Sequence, residues 1–309
     1  IGLIYTLPKV IFAKKPHVVY SYGFSFIQTK LLWIYKYFFD FKLVKELNEY
    51  PLYFLSHNYF RRLLGKLSQP FDNKGLDAIV VISNFLKDYY AKYISSRTKV
   101  FILNMIVDLK RFDIIKTNVN ELQIVYCGSF NNHKDGILYL IKGYSKFLKI
   151  SNFKTKLYLI GKGNKSEEQN IDDLIEEEQI KDSVIKLGLI RKDDIPYYLI
   201  NASVLILPRP DSIQAKAGFP TKLGEYLASS NPVIVSNVGE ISSFLVDNLS
   251  CYFLSAVSDE EISIKLYDVF NDYDKASLIG KRGRLVAEKY FDSTNEANRL
   301  LSFFEKQLI

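Results

Sequence analysis

The sequence predicts an α/β protein built from two doubly wound, Rossmann-like domains. The chain is 309 residues long, enough for two domains of ordinary size, each with its own core. From Gln123 onward, apolar runs of strand length alternate with amphipathic stretches of helix length. Those runs carry no polar alternation, which marks strands buried on both faces of a parallel sheet. Apolar residues make up 48% and charged residues 24%, a composition that excludes a disordered chain.

Taken in order, the chain opens on "IGLIYTLPKVIFAKKP", which reads as a helix. A doubly wound domain normally opens with a strand and a tight turn, so the N-terminal domain is expected to lack its front strands. "HVVYSYG", "KLVKELNEYP", "AIVVIS" and "VFILNM" read as strands with helical stretches between them. "LLWIYKYFFDF", interrupted by Lys36 and Asp40, reads as a packed helix, short of the roughly 18 apolar residues of a membrane span. "NMIVDLKRFDIIKTNVNE" has no strong period and reads as the connection between domains. Then "QIVYCG" precedes the helix-like "GILYLIKGYSKFLK", and "KLYLIG" precedes "NIDDLIEEEQI". "VIKLG" with "DDIPYYLINA", "VLILP", the helix "TKLGEYLAS", "PVIVS" and a short strand "CYFL" come next. After Ser258 the chain reads as helical to its amphipathic last segment, "TNEANRLLSFFEKQL". The expected division is an N-terminal domain over 1–110, a C-terminal domain over 111–292, and a terminal helix over 293–309 packing back on the first.

The net charge of +7 is unevenly spread. Residues 1–108 carry 15 Lys and Arg against 7 Asp and Glu, and the remainder 26 against 27. Such a basic first third suits anionic lipid, nucleic acid or an acidic glycan. No nucleic-acid recognition motif accompanies it, which sets that class aside. Cys127 and Cys251 lie in apolar runs and read as buried free thiols. His17, His57 and His133 have no metal-ligand spacing. Asp272-Tyr273-Asp274 matches an Asp-x-Asp metal motif in letters, but it falls between late helices and not at a strand end.

Candidate site residues collect at the expected C-terminal strand ends, where open parallel sheets bind ligands. In "GFPTKLGEYLASSNPVIVSNVGE", Gly218 permits close backbone approach and Pro220 suits a first helical turn. With Phe219, the amides around Thr221, Lys222 and Leu223 form a phosphate-binding helix start. Glu225, a turn further in, can accept two hydrogen bonds from a vicinal diol such as a ribose. Gly128 and Ser129 follow the strand "QIVYCG", with Lys134 near in sequence, and Gly161 follows the next strand. Arg209 ends "VLILP" on the same edge.

The stretch "GFPTKLGEYLASSNPVIVSNVGEI" resembles the donor-site segment of family 4 glycosyltransferases, retaining enzymes of GT-B fold. "IVYCGSFNNHKDGILYLI", "LYLIGKG", "VIKLGLIRKDDIPYYLINASVLILPRP" and "IVVISNFL…LNMIVDLKRF" support it, in the family's order. The resemblance implies two domains facing across a cleft, the C-terminal one holding a nucleotide-sugar donor and the N-terminal one an acceptor. It matches Glu225 to the second glutamate of a Glu-x7-Glu pattern, which takes the ribose hydroxyls, and Lys134 to a lysine steadying the diphosphate. This sequence departs from the family in placing Ala217 where the first glutamate falls. Gln214 and Lys216 are both candidates to replace it. The arginine that often precedes the lysine is also missing, and Arg209 is the cation available in its stead.

The resemblance thus implies, as an expectation, a bacterial surface-polysaccharide enzyme of capsule or lipopolysaccharide type, a retaining hexosyltransferase using a UDP- or GDP-sugar. Its expected acceptor is a glycan or a lipid-linked acceptor. No cofactor and no metal are expected, because cations and helix-end amides can stabilise the leaving diphosphate. Lys134, Arg209 and Glu49, the last just past an N-terminal strand, are the catalytic candidates. The expected location is cytoplasmic or peripheral on the inner membrane face. Competing classes are a sugar-nucleotide epimerase and a non-catalytic nucleotide-sugar or glycan-binding protein, the latter favoured by Ala217.

Overall fold

The computed structural model describes residues 17–23, 26–51, 58–117 and 121–309; the opening stretch read as a helix and His57 lie outside these. The chain divides into two compact units, one comprising the described residues to Asn104 with Glu296–Ile309, the other Met105–Asn295.

The first unit runs β1 (Val18–Ser21), α1 (Phe26–Tyr35), β2 (Lys42–Leu47), α2 (Tyr59–Asp72), β3 (Ala78–Val81), α3 (Asn84–Tyr90) and β4 (Lys99–Ile102). Its strands form a parallel sheet in the order β1-β2-β3-β4. β3, "AIVV", is buried at every position, as an internal parallel strand covered on both faces must be. The stretch read as a helix over Leu31–Phe41 ends earlier, at Tyr35. Lys36 then pairs with Asp77 at 2.5 Å, and the Asp77 carboxylate also accepts from the Leu43 amide at 2.7 Å. Ser83 caps α3, its hydroxyl accepting from the Leu86 amide at 3.1 Å.

The second unit continues with β5 (Leu122–Ser129), α4 (Asn132–Asp135), α5 (Ile137–Ile150), β6 (Thr155–Lys162), α6 (Lys165–Glu177), β7 (Val184–Gly188) and α7 (Ile195–Asn201). Then come β8 (Val204–Leu207), α8 (Ile213–Ala217), α9 (Thr221–Ala228), β9 (Val233–Ser236), β10 (Tyr252–Leu254), α10 (Asp259–Asn271) and α11 (Tyr273–Tyr290). The sheet order is β10-β9-β8-β5-β6-β7, all parallel. β5 therefore lies between β6 and β8, and the chain reverses its direction of winding beside it. That reversal opens a crevice at the carboxyl ends of β5 and β8, where ligands bind in such sheets. An Asn164–Glu167 capping box starts α6, and Pro196 occupies the first turn of α7.

The terminal helix α12 (Ser293–Gln307) starts in the second unit, where the Ser293 amide donates to the Val107 carbonyl at 3.0 Å. It ends in the first, where Leu300, Phe303, Phe304 and Leu308 pack on Val44, Ala78 and Val80 of the sheet. Glu296 accepts from the Asn104 amide at 3.1 Å and pairs with Arg299 at 2.5 Å. No helix of the described residues is long and apolar enough to cross a membrane.

Candidate functional site

The loop leaving β5 turns back within a few residues. Asn131 caps α4, accepting from the Lys134 amide at 2.8 Å, and Gly136 ends it in the left-handed region with φ of 67°. A side chain at Gly136 would also strike the Pro208 carbonyl after β8, so only glycine serves here. This turn tucks Asp135 inward, 3% exposed, while its neighbour Lys134 stays at the surface.

Asp135 is the centre of a charged cluster. It accepts from the Ser129 hydroxyl at 2.5 Å and from the Lys222 ammonium at 2.9 Å. The ammonium rests over the Tyr126 ring, 5.6 Å from its centroid, and occupies the space that a side chain at Gly128 would need. Burial acts to raise the Asp135 carboxyl. The Lys222 charge, the Ser129 hydroxyl and the Arg209 charge outweigh it, holding the carboxyl below its usual range. Arg209 is 8% exposed, and its Nε is buried without a partner among the described residues. Burial pushes its guanidinium down from its ordinary value, with Asp135 opposing.

A second anchor places α9. The Tyr226 hydroxyl accepts from the Cys127 amide at 2.7 Å and donates to the Cys127 carbonyl at 3.2 Å. The helix start is thereby fixed beside the end of β5. The Leu223 amide already donates to the Pro220 carbonyl at 2.9 Å, while those of Thr221 and Lys222 find no backbone acceptor among the described residues. Glu225, one turn on, accepts from Arg111 at 2.9 Å, and the same guanidinium donates to the Lys192 carbonyl at 2.5 Å.

The structure therefore gathers Gly128, Ser129, Thr221, Lys222, Arg209 and Glu225 around one crevice of the second unit. Gly161, with φ of 140°, packs against the Gly128 carbonyl so closely that no side chain fits. Other candidates serve differently. Phe219 is core, its ring 5.5 Å from Phe244 and 5.4 Å from Phe291. Leu223 is fully buried, and Pro220 is the residue preceding α9. Gly218 has an extended backbone, φ of −97°, and its amide donates to the Gln214 carbonyl at 3.0 Å. Glu49 is exposed just past β2 in the first unit. Ala217 is fully buried in α8, with Lys216 paired to Asp211 at 3.0 Å. Asp135 and Arg111 were not among the sequence candidates. Gly136 hints at the sharp turn that buries Asp135, whereas Arg111 lies in a segment with no period. Among the described residues, no three His, Cys, Asp or Glu side chains converge to hold a metal ion.

A protein-family model described as "Glycosyl transferases group 1" matches residues 109–286. No curated protein matches the chain. Solved structures do. A glycosyltransferase from Rickettsia africae is 16% identical with a TM-score of 0.77, over 99% of this chain and 81% of its own. Sucrose-phosphate synthase from Thermosynechococcus elongatus is 18% identical with a TM-score of 0.76, over 98% and 78%. Anabaena HepE in complex with UDP is 14% identical with a TM-score of 0.73, over 97% and 81%. At such identities the likeness establishes the fold, two parallel-sheet α/β domains of GT-B type.

Proposed function

The chain belongs to the glycosyl transferases group 1, and from that premise we propose that it is a retaining, metal-independent hexosyltransferase. It would move a sugar from a UDP- or GDP-sugar to a glycan or lipid-linked acceptor of surface-polysaccharide synthesis. In this reading it works in the cytoplasm or against the inner, anionic face of the membrane. The observation that carries the reading is the convergence of Lys222, Arg209 and the Thr221 and Lys222 amides on the crevice beside β5 and β8.

Breaking a sugar–phosphate bond leaves an anionic diphosphate and an oxocarbenium-like sugar. Fixed cations and helix-end amides stabilise the diphosphate as its charge develops. Lys222, paired with Asp135, and the buried Arg209 supply that charge, and Lys134 adds a surface cation. Glu225, oriented by Arg111, accepts hydrogen bonds from the ribose. HepE has been seen with UDP and with UDP-glucose, which supports a donor of that class. On the acceptor side, Glu49 positions the incoming hydroxyl. That hydroxyl attacks on the face the phosphate leaves and passes its proton to the departing phosphate oxygen, so configuration is retained.

Ala217 supports a second reading, a nucleotide-sugar binder without turnover, because a fully buried alanine stands where the family's first glutamate falls. Thermal unfolding with UDP, GDP or ADP in the presence of EDTA tests the donor site. A ligand at about 100 times its dissociation constant adds about 2.7 kcal/mol. We expect one nucleotide to stabilise the protein and Glu225→Ala to abolish the shift. No shift with any nucleotide would overturn the reading, and release of labelled sugar separates the enzyme from the binder.

A further inference from the structure

We propose that α2 (Tyr59–Asp72) is the docking face of the first unit for an anionic lipid bilayer. The inference rests only on the membrane placement in the function above and not on the transfer chemistry. α2 is strongly amphipathic, and a helix of a globular protein turns its apolar side to the core. This one is inverted. Tyr59, Phe60, Leu63, Leu64, Leu67 and Phe71 fall within a sector of about 140° on the helix, and every one is between 39% and 72% exposed. The side toward the unit carries Gly65, Ser68 and Asp72, all half-buried. Ser68 donates to Asp72 at 3.3 Å, and Asp72 lies near enough to Lys45 of β2 and Lys30 of α1 to feel both charges. Lys30 in turn donates to the Phe71 carbonyl, tying α1 to the end of α2. The polar side is thus engaged inward, which holds the apolar side out.

Charge selects the occupant. Arg62 and Lys66 are exposed on α2 and Lys74 just beyond it, whereas Asp72 is the sole acidic residue between positions 58 and 75 and faces inward. An apolar sector flanked by cations, on a unit with excess positive charge, has the chemistry of a helix lying in the interface of an anionic membrane. An apolar protein partner would not require the cations.

Sedimentation of the full chain with vesicles tests this. We expect binding to phosphatidylcholine vesicles containing phosphatidylglycerol, little to phosphatidylcholine alone, and weakening when salt rises from about 0.1 to 0.5 M. Leu64→Glu with Leu67→Glu should abolish binding, and each of Arg62→Gln and Lys66→Gln should weaken it about fivefold. These side chains are exposed, so unfolding temperature should hold, and so should any nucleotide shift, which separates failure here from failure of the donor site. The proposal is overturned by absence of binding to phosphatidylglycerol vesicles, or by binding that the Leu64 and Leu67 pair leaves unchanged. A dimer in solution that the same pair dissolves would also overturn it, assigning the face to a second copy.

Discussion

Lys222 shows how a single ammonium can serve both the fold and the site. It neutralises a nearly buried carboxylate, and it lies at the one strand end where Gly128 leaves room for it. Lys222→Met should weaken UDP binding by about 1.5–3 kcal/mol, the worth of a charge-assisted hydrogen bond, while uridine, lacking phosphate, binds unchanged; calorimetry with both ligands reads the difference. The same substitution strands Asp135 in the interior and should cost about 3 kcal/mol of stability. The Asp135 carboxyl is held below its usual range, so its contribution is present above about pH 4 and lost as pH falls through the lower folded value. Urea midpoints between about pH 5 and 3 should therefore fall more steeply for the native chain than for Asp135→Asn. Lys134 stands out in the sequence and Asp135 does not, because adjacent letters carry no direction. On a helical turn the two side chains point about 100° apart, and only the fold decides which of them turns inward.

At the scale of elements, β5 and α9 form one assembly through Tyr226. Cys127, whose backbone makes that contact, is half-buried, and burial pushes its thiol up to about 11. At about pH 8 little of that thiol is thiolate, so Ellman's reagent should label Cys127 slowly, and a nucleotide bound beside the end of β5 should slow it further; rapid labelling would contradict the raised value. The strands β8 and β9 were legible in sequence because they are nearly unbroken runs of Val, Ile and Leu, the usual composition of a strand buried on both faces. The helix start at Thr221 was legible from its proline. The segment around Arg111 was not, since its one interaction at the site depends on a distant partner, Glu225. For α2 the period announces a helix but does not say which side meets the protein.

For the whole molecule, the telling element is α12. Leu300, Phe303, Phe304 and Leu308 complete the core over Val44, Ala78 and Val80, so the first unit is assembled from two stretches separated by all of Met105–Asn295. Ending the chain at Asn295 should expose that sheet face and unfold the first unit. Met105–Asn295 alone should remain folded, and if the donor reading holds, it should keep the nucleotide-dependent rise in unfolding temperature. Circular dichroism and the thermal shift distinguish these outcomes.

That discontinuity fixes an order of events at the ribosome. Domains commonly fold from the N-terminus as they are synthesised, yet here the segment that finishes the first unit is translated after the second unit is complete. The second unit can close while the first still waits, its hydrophobic strands open to chaperones or to a nearby bilayer. The first unit is thus begun before the second and becomes native after it.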